Sequence, residues 1–227
     1  HREPQADTAH MADGLRYTAT VIASDVIAGA GSLHDWIGGP WSILFAHPRE
    51  LTLECTTELG AVARLKPEFD RGGVKVLGLS VDGVSDHETW SRDIEATQGV
   101  ALNFPLIADK DRVIAEAYDM IHPNAEATAT VRSVFVIDPA KKVRLTLTYP
   151  ANTGRDFNEI LRAIDSLQLT SSHQVATPAN WRHGDDVIIL ASVTDEQARA
   201  TYPDGWRAER PYLRFVPDPS TTTKGAA

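Results

Sequence analysis

The chain has 227 residues, 42% hydrophobic and 23% charged, enough for one full domain with a proper core and a smaller appendage. A formal net charge of −9 argues against nucleic acid or an anionic membrane as the main partner, since either needs a basic face. With 1 cysteine there is no intramolecular disulfide framework, and the 8 histidines lie at no zinc-ligand spacing, so neither a metal nor another cofactor is expected.

Residues 1–14 are polar and lack a signal-peptide core, and no stretch nears the roughly twenty apolar residues of a membrane span. Met11 is one candidate for the native start. A trimmed targeting segment is the other. Gly29-Ala30-Gly31 lacks the third glycine of a dinucleotide fingerprint, with His34 in its place. Residues 1–32 are left as an unassigned N-terminal segment.

Trp41–Ala46 is an apolar run of strand length, closed by His47-Pro48. Leu59, Val62, Leu65 and Phe69 then recur at near-helical spacing, which predicts an amphipathic helix over residues 52–70. Residues 74–81 read as a buried strand. Ser85, with Glu88 three residues on, predicts a capping box that opens a helix reaching about residue 96. A short strand over 104–107 and a short helix over 109–118 follow. Arg132–Ile137 and Val143–Tyr149 predict strands joined as a hairpin through residues 138–142. Phe157, Ile160, Leu161, Ile164 and Leu167 give the apolar face of a further helix. Alternating strands and helices, then a hairpin and a helix, describe a layered α/β domain of thioredoxin-like type over residues 33–170.

Around residues 170–179 the apolar period lapses into a predicted linker. Beyond it come a strand over 187–190, a helix capped by Thr194 and Gln197, and a strand over 212–215. This second segment, 171–227, is too short to bury a core alone and must pack on the main domain or on a partner subunit. The tail from Pro219 is expected to fray.

Cys55 falls in the first turn of the helix that follows the first strand. There a thiol meets unpaired backbone N–H groups and the positive end of the macrodipole, both of which favour a thiolate. A lone cysteine is by default a small buried hydrophobe. The spacing Pro48-x-x-x-Thr52-x-x-Cys55, followed by Thr56-Thr57-Glu58-Leu59-Gly60, points instead to a nucleophile. It resembles the peroxidatic-cysteine signature of peroxiredoxins. In that pattern the Thr52 hydroxyl stands beside the sulfur and exchanges hydrogen bonds with a peroxide, while Pro48 shapes the entry and shields the sulfur from water.

The resemblance is wider than one loop. His47-Pro48-Arg49, Asp86-His87-x-x-Trp90-Ser91, Tyr149-Pro150-Ala151-x-Thr153-Gly154-Arg155, Ser166-Leu167-Gln168-Leu169 and Val175-Ala176-Thr177-Pro178-x-x-Trp181 are similar to the one-cysteine (1-Cys) peroxiredoxins of mammalian and yeast type, from about Leu33 to Pro219. The family implies a thioredoxin-like peroxidase domain with a small C-terminal dimerisation domain that reaches across a homodimer, or within a higher oligomer.

Bringing a free thiol from about 8.5 to about 6 takes about 3.4 kcal/mol, and a helix N-terminus supplies about 0.3–2 kcal/mol of it. A positive side chain must contribute. The resemblance names Arg132, which matches the family arginine that contacts both sulfur and peroxide, a charge that cannot be lost. Glu58 matches a carboxylate that orients active-site arginines. Arg155 is a second arginine of the pattern, in ion-pairing support or in direct contact. His47 matches a histidine near the thiol, as a hydrogen-bonding group or as packing.

Two departures stand out. Leu53 and Glu54 replace the family's usual proline and valine before the cysteine, and Glu54 is expected to point away from the sulfur, because successive helical side chains diverge by about 100°. Some mammalian members carry a phospholipase serine where this chain has Pro40, so that second activity is not expected here.

The resulting expectation is a peroxidase acting on hydrogen peroxide and organic hydroperoxides, with Cys55 oxidised to a sulfenic acid. An external thiol such as glutathione or thioredoxin then restores it. The rival is a redox sensor or chaperone-like relative made sluggish by Leu53 and Glu54. The cytoplasm is the expected compartment, or an organelle such as the mitochondrion if a targeting segment was removed.

Overall fold

The computed structural model describes residues 16–20, 29–48, 53–121 and 130–221. The chain divides into two compact units, His1–Phe157 and Asn158–Ala227.

In the first unit a seven-stranded sheet is built from β1 (Arg16–Thr20), β2 (Gly29–Ser32), β3 (Trp41–Ala46), β4 (Val74–Ser80), β5 (Leu106–Ala108), β6 (Arg132–Ile137) and β7 (Val143–Tyr149), in the spatial order β2-β1-β5-β4-β3-β6-β7. The three central strands β3, β4 and β5 are parallel, while β6 runs antiparallel to β3 and β7 antiparallel to β6. Burial on both faces explains the continuous apolar runs of β3 and β4. β7 alternates half-buried Val143, Leu145, Leu147 and Tyr149 with exposed residues, as suits a strand with one solvated face.

Leu44, Ala46, Leu77, Leu79, Ile107, Phe135 and Ile137 form one core with the short helices α1 (Leu33–Ile37) and α4 (Val113–Ala117). α2 (Leu53–Arg71) packs on α3 (Val84–Gln98) and on β4. Pro67 lies inside α2 and has no N–H to give to the carbonyl of Ala63. Asn103 Nδ2 donates to that oxygen at 3.0 Å instead, so the helix continues without a buried orphan acceptor. Close packing of β4 against β5 requires glycine at position 78, where a Cβ would lie 2.5 Å from Leu106 Cδ2.

α3 begins at Val84 with Gly83 as its N-cap and no side-chain cap. The predicted Ser85–Glu88 box is therefore not the helix start; Ser85 already lies in the first turn. The helix ends at Gly99, whose φ of 68° is a left-handed stop, with its N–H on Glu95 O.

In the second unit, α5 (Phe157–Ser172) continues through the first residues of the predicted linker, and β8 (Val175–Ala176) follows at once. β8 joins β9 (Val187–Ile189), β10 (Arg207–Arg210) and β11 (Leu213–Val216) in a sheet of order β10-β11-β9-β8. α6 (Asp195–Thr201) carries the predicted capping box: Gln197 N donates to Thr194 Oγ1, and Thr194 N to Gln197 Oε1. Leu169, Val175, Trp181, Val187, Ile189, Val193, Ala198 and Val216 form a core of this unit's own. The expectation that this part of the chain cannot bury a core by itself is thus corrected. The helix contributing Leu169 groups with it, and Trp181 at 1% exposure is satisfied inside the unit.

Candidate active site

The sheet register places the site. β3 ends at Ala46, and His47 and Pro48 lead away from its carboxyl end towards α2. β6 runs the other way, with Phe45 level with Val134, so Arg132, two residues earlier, comes level with His47. Thr130 Oγ1 donates to His47 O at 2.8 Å, and His47 N to Leu79 O at 3.0 Å, fixing the exit from β3. Cys55 sits in the first turn of α2 and is fully buried.

Arg132 Nη1 lies 3.3 Å from Cys55 Sγ and donates to Glu58 Oε2 at 2.6 Å, while its Nε donates to Ala151 O at 2.6 Å. Glu58, one helical turn after the cysteine, is 3% exposed and also takes Arg155 in a forked pair. Arg155 Nε and backbone N donate to Oε1 at 2.9 and 2.8 Å, and Nη2 to Oε2 at 2.8 Å. The remaining Arg155 nitrogen, Nη1, donates to Ala46 O and Ser133 O, and the guanidinium lies over the rings of Phe45 and Phe157. Within the buried part of the cluster, two guanidinium charges face one carboxylate, Glu58, and so leave positive charge beside the sulfur. That is the complement a thiolate needs.

The structure brings together Cys55, Arg132, Glu58 and Arg155. Arg155 contacts Glu58, backbone carbonyls and aromatic rings, which is the support arrangement. His47 is fully buried, and its ring meets Trp90 edge-on, with centroids 5.0 Å apart. Trp90 Nε1 in turn donates to Thr56 Oγ1 at 3.0 Å, tying α3 to the residue after the cysteine. Pro48 is half-buried at the bend. Thr52 lies outside the described residues. Leu53 is 85% exposed. Glu54 reaches the arginine instead: its Oε2 stands 3.8 Å from Arg132 Nη2, on the guanidinium that holds the sulfur. The helical step turns it off the cysteine, but the arginine is broad enough to be met from both sides.

Sequence reading missed the carbonyls of Ala46, Ser133 and Ala151, which hold the two arginines. Backbone acceptors leave no mark in composition. Trp90 belonged to a matching motif, and its apolar bulk beside Ser91 was the available signal. Among the described residues no group of three or more His, Cys, Asp or Glu could hold a metal.

The AhpC/TSA family profile matches residues 19–146, and the C-terminal domain of 1-Cys peroxiredoxin matches residues 166–205. A 1-Cys peroxiredoxin of Dictyostelium discoideum is 50% identical over 198 residues, 87% of this chain and 82% of that one. The chain belongs to the 1-Cys peroxiredoxins. It is a thiol-dependent peroxidase with a thioredoxin-like domain and a C-terminal peroxiredoxin domain.

Two solved relatives cover most of this peroxiredoxin. A cysteine-to-serine mutant of peroxiredoxin 6 of Arenicola marina superposes with a TM-score of 0.81 at 40% identity, covering 91% of this chain and 96% of that one. A yeast mitochondrial 1-Cys peroxiredoxin, described for thiol resolution via glutathione/thioredoxin systems, gives 0.80 at 44% identity over 89% and 95%. Among the described residues, no helix is long and apolar enough to cross a membrane.

Proposed function

We propose that Cys55 is the peroxidatic nucleophile and Arg132 the cation that holds both its thiolate and the substrate. The observation that carries this is the 3.3 Å approach of Arg132 Nη1 to Cys55 Sγ in a buried site. The thiolate attacks the terminal oxygen of a hydroperoxide. An S–O bond forms as the O–O bond breaks, leaving a sulfenic acid and an alkoxide or hydroxide that takes a proton from water. Negative charge grows on the leaving oxygen, and a fixed guanidinium aimed there stabilises it without reorganising. Glu58 and Arg155 lock that guanidinium in place. The resemblance to the peroxiredoxin signature gives Thr52 the role of hydrogen-bonding the peroxide and Pro48 that of shielding the sulfur, and His47 packs the exit of β3.

One cysteine per chain means that the sulfenic acid is resolved by an external thiol. The first thiol condenses with it to a mixed disulfide and water, and a second releases Cys55 and carries off the oxidised disulfide. Glutathione or thioredoxin suits this role, by analogy with the yeast relative. A free thiol in regular use suits a reducing compartment, the cytoplasm or a mitochondrion. The assembly we favour is a homodimer, supported by β7, which stands at the edge of the described sheet, where a strand of a second copy could add to it.

The test is peroxide consumption by the purified protein with dithiothreitol. Cys55→Ser is expected to abolish turnover with the fold intact, since serine keeps the volume but is a far poorer nucleophile at neutral pH. Substantial peroxidase activity in that variant would remove Cys55 from the mechanism.

A further inference from the structure

We propose that Glu54 is a specificity-determining residue that makes this site favour neutral hydroperoxides over anionic ones. The inference builds on the assignment of Cys55 and Arg132 as the reacting pair. Of the charged side chains gathered there, Arg132 is 2% exposed, Glu58 3% and Arg155 0%, whereas Glu54 is 38% exposed. Glu54 is thus the charge of this group that meets solvent, and an arriving substrate encounters it before the buried cations. Its Oε2 lies 3.8 Å from Arg132 Nη2, close enough for charge attraction but too far for a hydrogen bond.

The three guanidinium nitrogens are not equivalent. Nε is held by Ala151 O, and Nη1 by Glu58 and the sulfur. Among the described residues, Nη2 faces Glu54, and its partner stands beyond bonding distance. A substrate oxygen that reaches Nη2 therefore binds beside the Glu54 carboxylate.

The charges then decide what can arrive. Among the described residues, Arg132 and Arg155 balance Glu58 and the reacting thiolate, so without Glu54 this group is neutral. Glu54 makes this described group negative by one charge. A neutral hydroperoxide is indifferent to that charge to first order. A hydroperoxide carrying its own carboxylate must approach within a Debye length, about 8 Å at physiological ionic strength, where the repulsion is only partly screened. If Glu54 only complemented the helix macrodipole, it would affect stability and leave substrate choice alone.

The experiment compares a short tertiary alkyl hydroperoxide bearing a terminal carboxylate with its methyl ester. The second-order rate of Cys55 oxidation is measured for each, and the ester-to-acid ratio is independent of the active fraction of any preparation. Wild type is expected to prefer the ester. Glu54→Gln should narrow the ratio by about fivefold to tenfold, Glu54→Asp should keep it, and added salt should narrow it in wild type and Glu54→Asp but not in Glu54→Gln. An unchanged ratio in Glu54→Gln, even with both rates altered, would overturn the proposal. An Arg132→Gln control should slow acid and ester alike. If it left the ester rate intact, the assignment of the site itself would fall, and this inference with it.

Discussion

Glu58 shows how much of this site depends on one carboxylate. It takes a forked pair from Arg155 and a 2.6 Å bond from Arg132, all in a buried environment. Such a network is costly to break, because removing one member leaves buried charge without compensation. Glu58→Gln keeps the shape and one acceptor oxygen but leaves two buried guanidinium groups facing each other. The expected result is a loss of about 3–5 kcal/mol in urea unfolding, with kcat/KM for hydrogen peroxide falling by about tenfold or more as Arg132 loses its orientation. Cys55, Arg132, Glu58 and Arg155 were legible because each side chain stands in a motif whose spacing survives in the sequence. The second contact of Arg132, to Glu54, was not. A turn of 100° per residue says where a side chain leaves the helix, but not how far a broad guanidinium from another strand reaches around to it.

At the scale of elements, legibility followed burial. β3, β6 and β7 match their apolar or alternating runs to the residue, and α6 matches through its two capping side chains. β10 was invisible because Arg207–Arg210 is exposed throughout, so no apolar period marks it; its partner β11 alone makes it a strand. The start of α3 was misplaced because a capping-box pattern also fits inside a first turn, while a glycine cap shows no side chain to read.

The second unit carries its own electrostatic anchor in Asp218, which is fully buried. Burial alone would raise its pKa, but hydrogen bonds from Ser220 Oγ and from the backbone N–H groups of Ser220 and Gly184, with His183 nearby, hold it below the ordinary 3.8. A carboxyl with a depressed folded value contributes stability that is complete above the unfolded value and lost as pH falls through the folded one. Asp218→Asn should therefore cost about 1–3 kcal/mol at neutral pH, and the gap to wild type should shrink below pH 3.8. Urea unfolding of both proteins at pH 7 and in that acid range measures it. A gap of constant size would mean that the charge on Asp218 is not what the loop responds to.

For the whole molecule, one buried thiol sets the chemistry. The α/β layering delivers Cys55 at the carboxyl end of a central parallel strand, and the antiparallel return of β6 brings Arg132 to the same end. Neither strand makes a site alone. With no second cysteine in the chain, the first oxidation product has no internal thiol to trap it. The most direct measurement is intact mass after a stoichiometric pulse of hydrogen peroxide without reductant, followed by addition of glutathione. The chain should gain one oxygen at Cys55, then two and three under excess peroxide, and the singly oxidised form should pass to a glutathione adduct and back to the free thiol. A dominant early disulfide between the Cys55 residues of two chains, or peroxide consumed with Cys55 unmodified, would contradict the account.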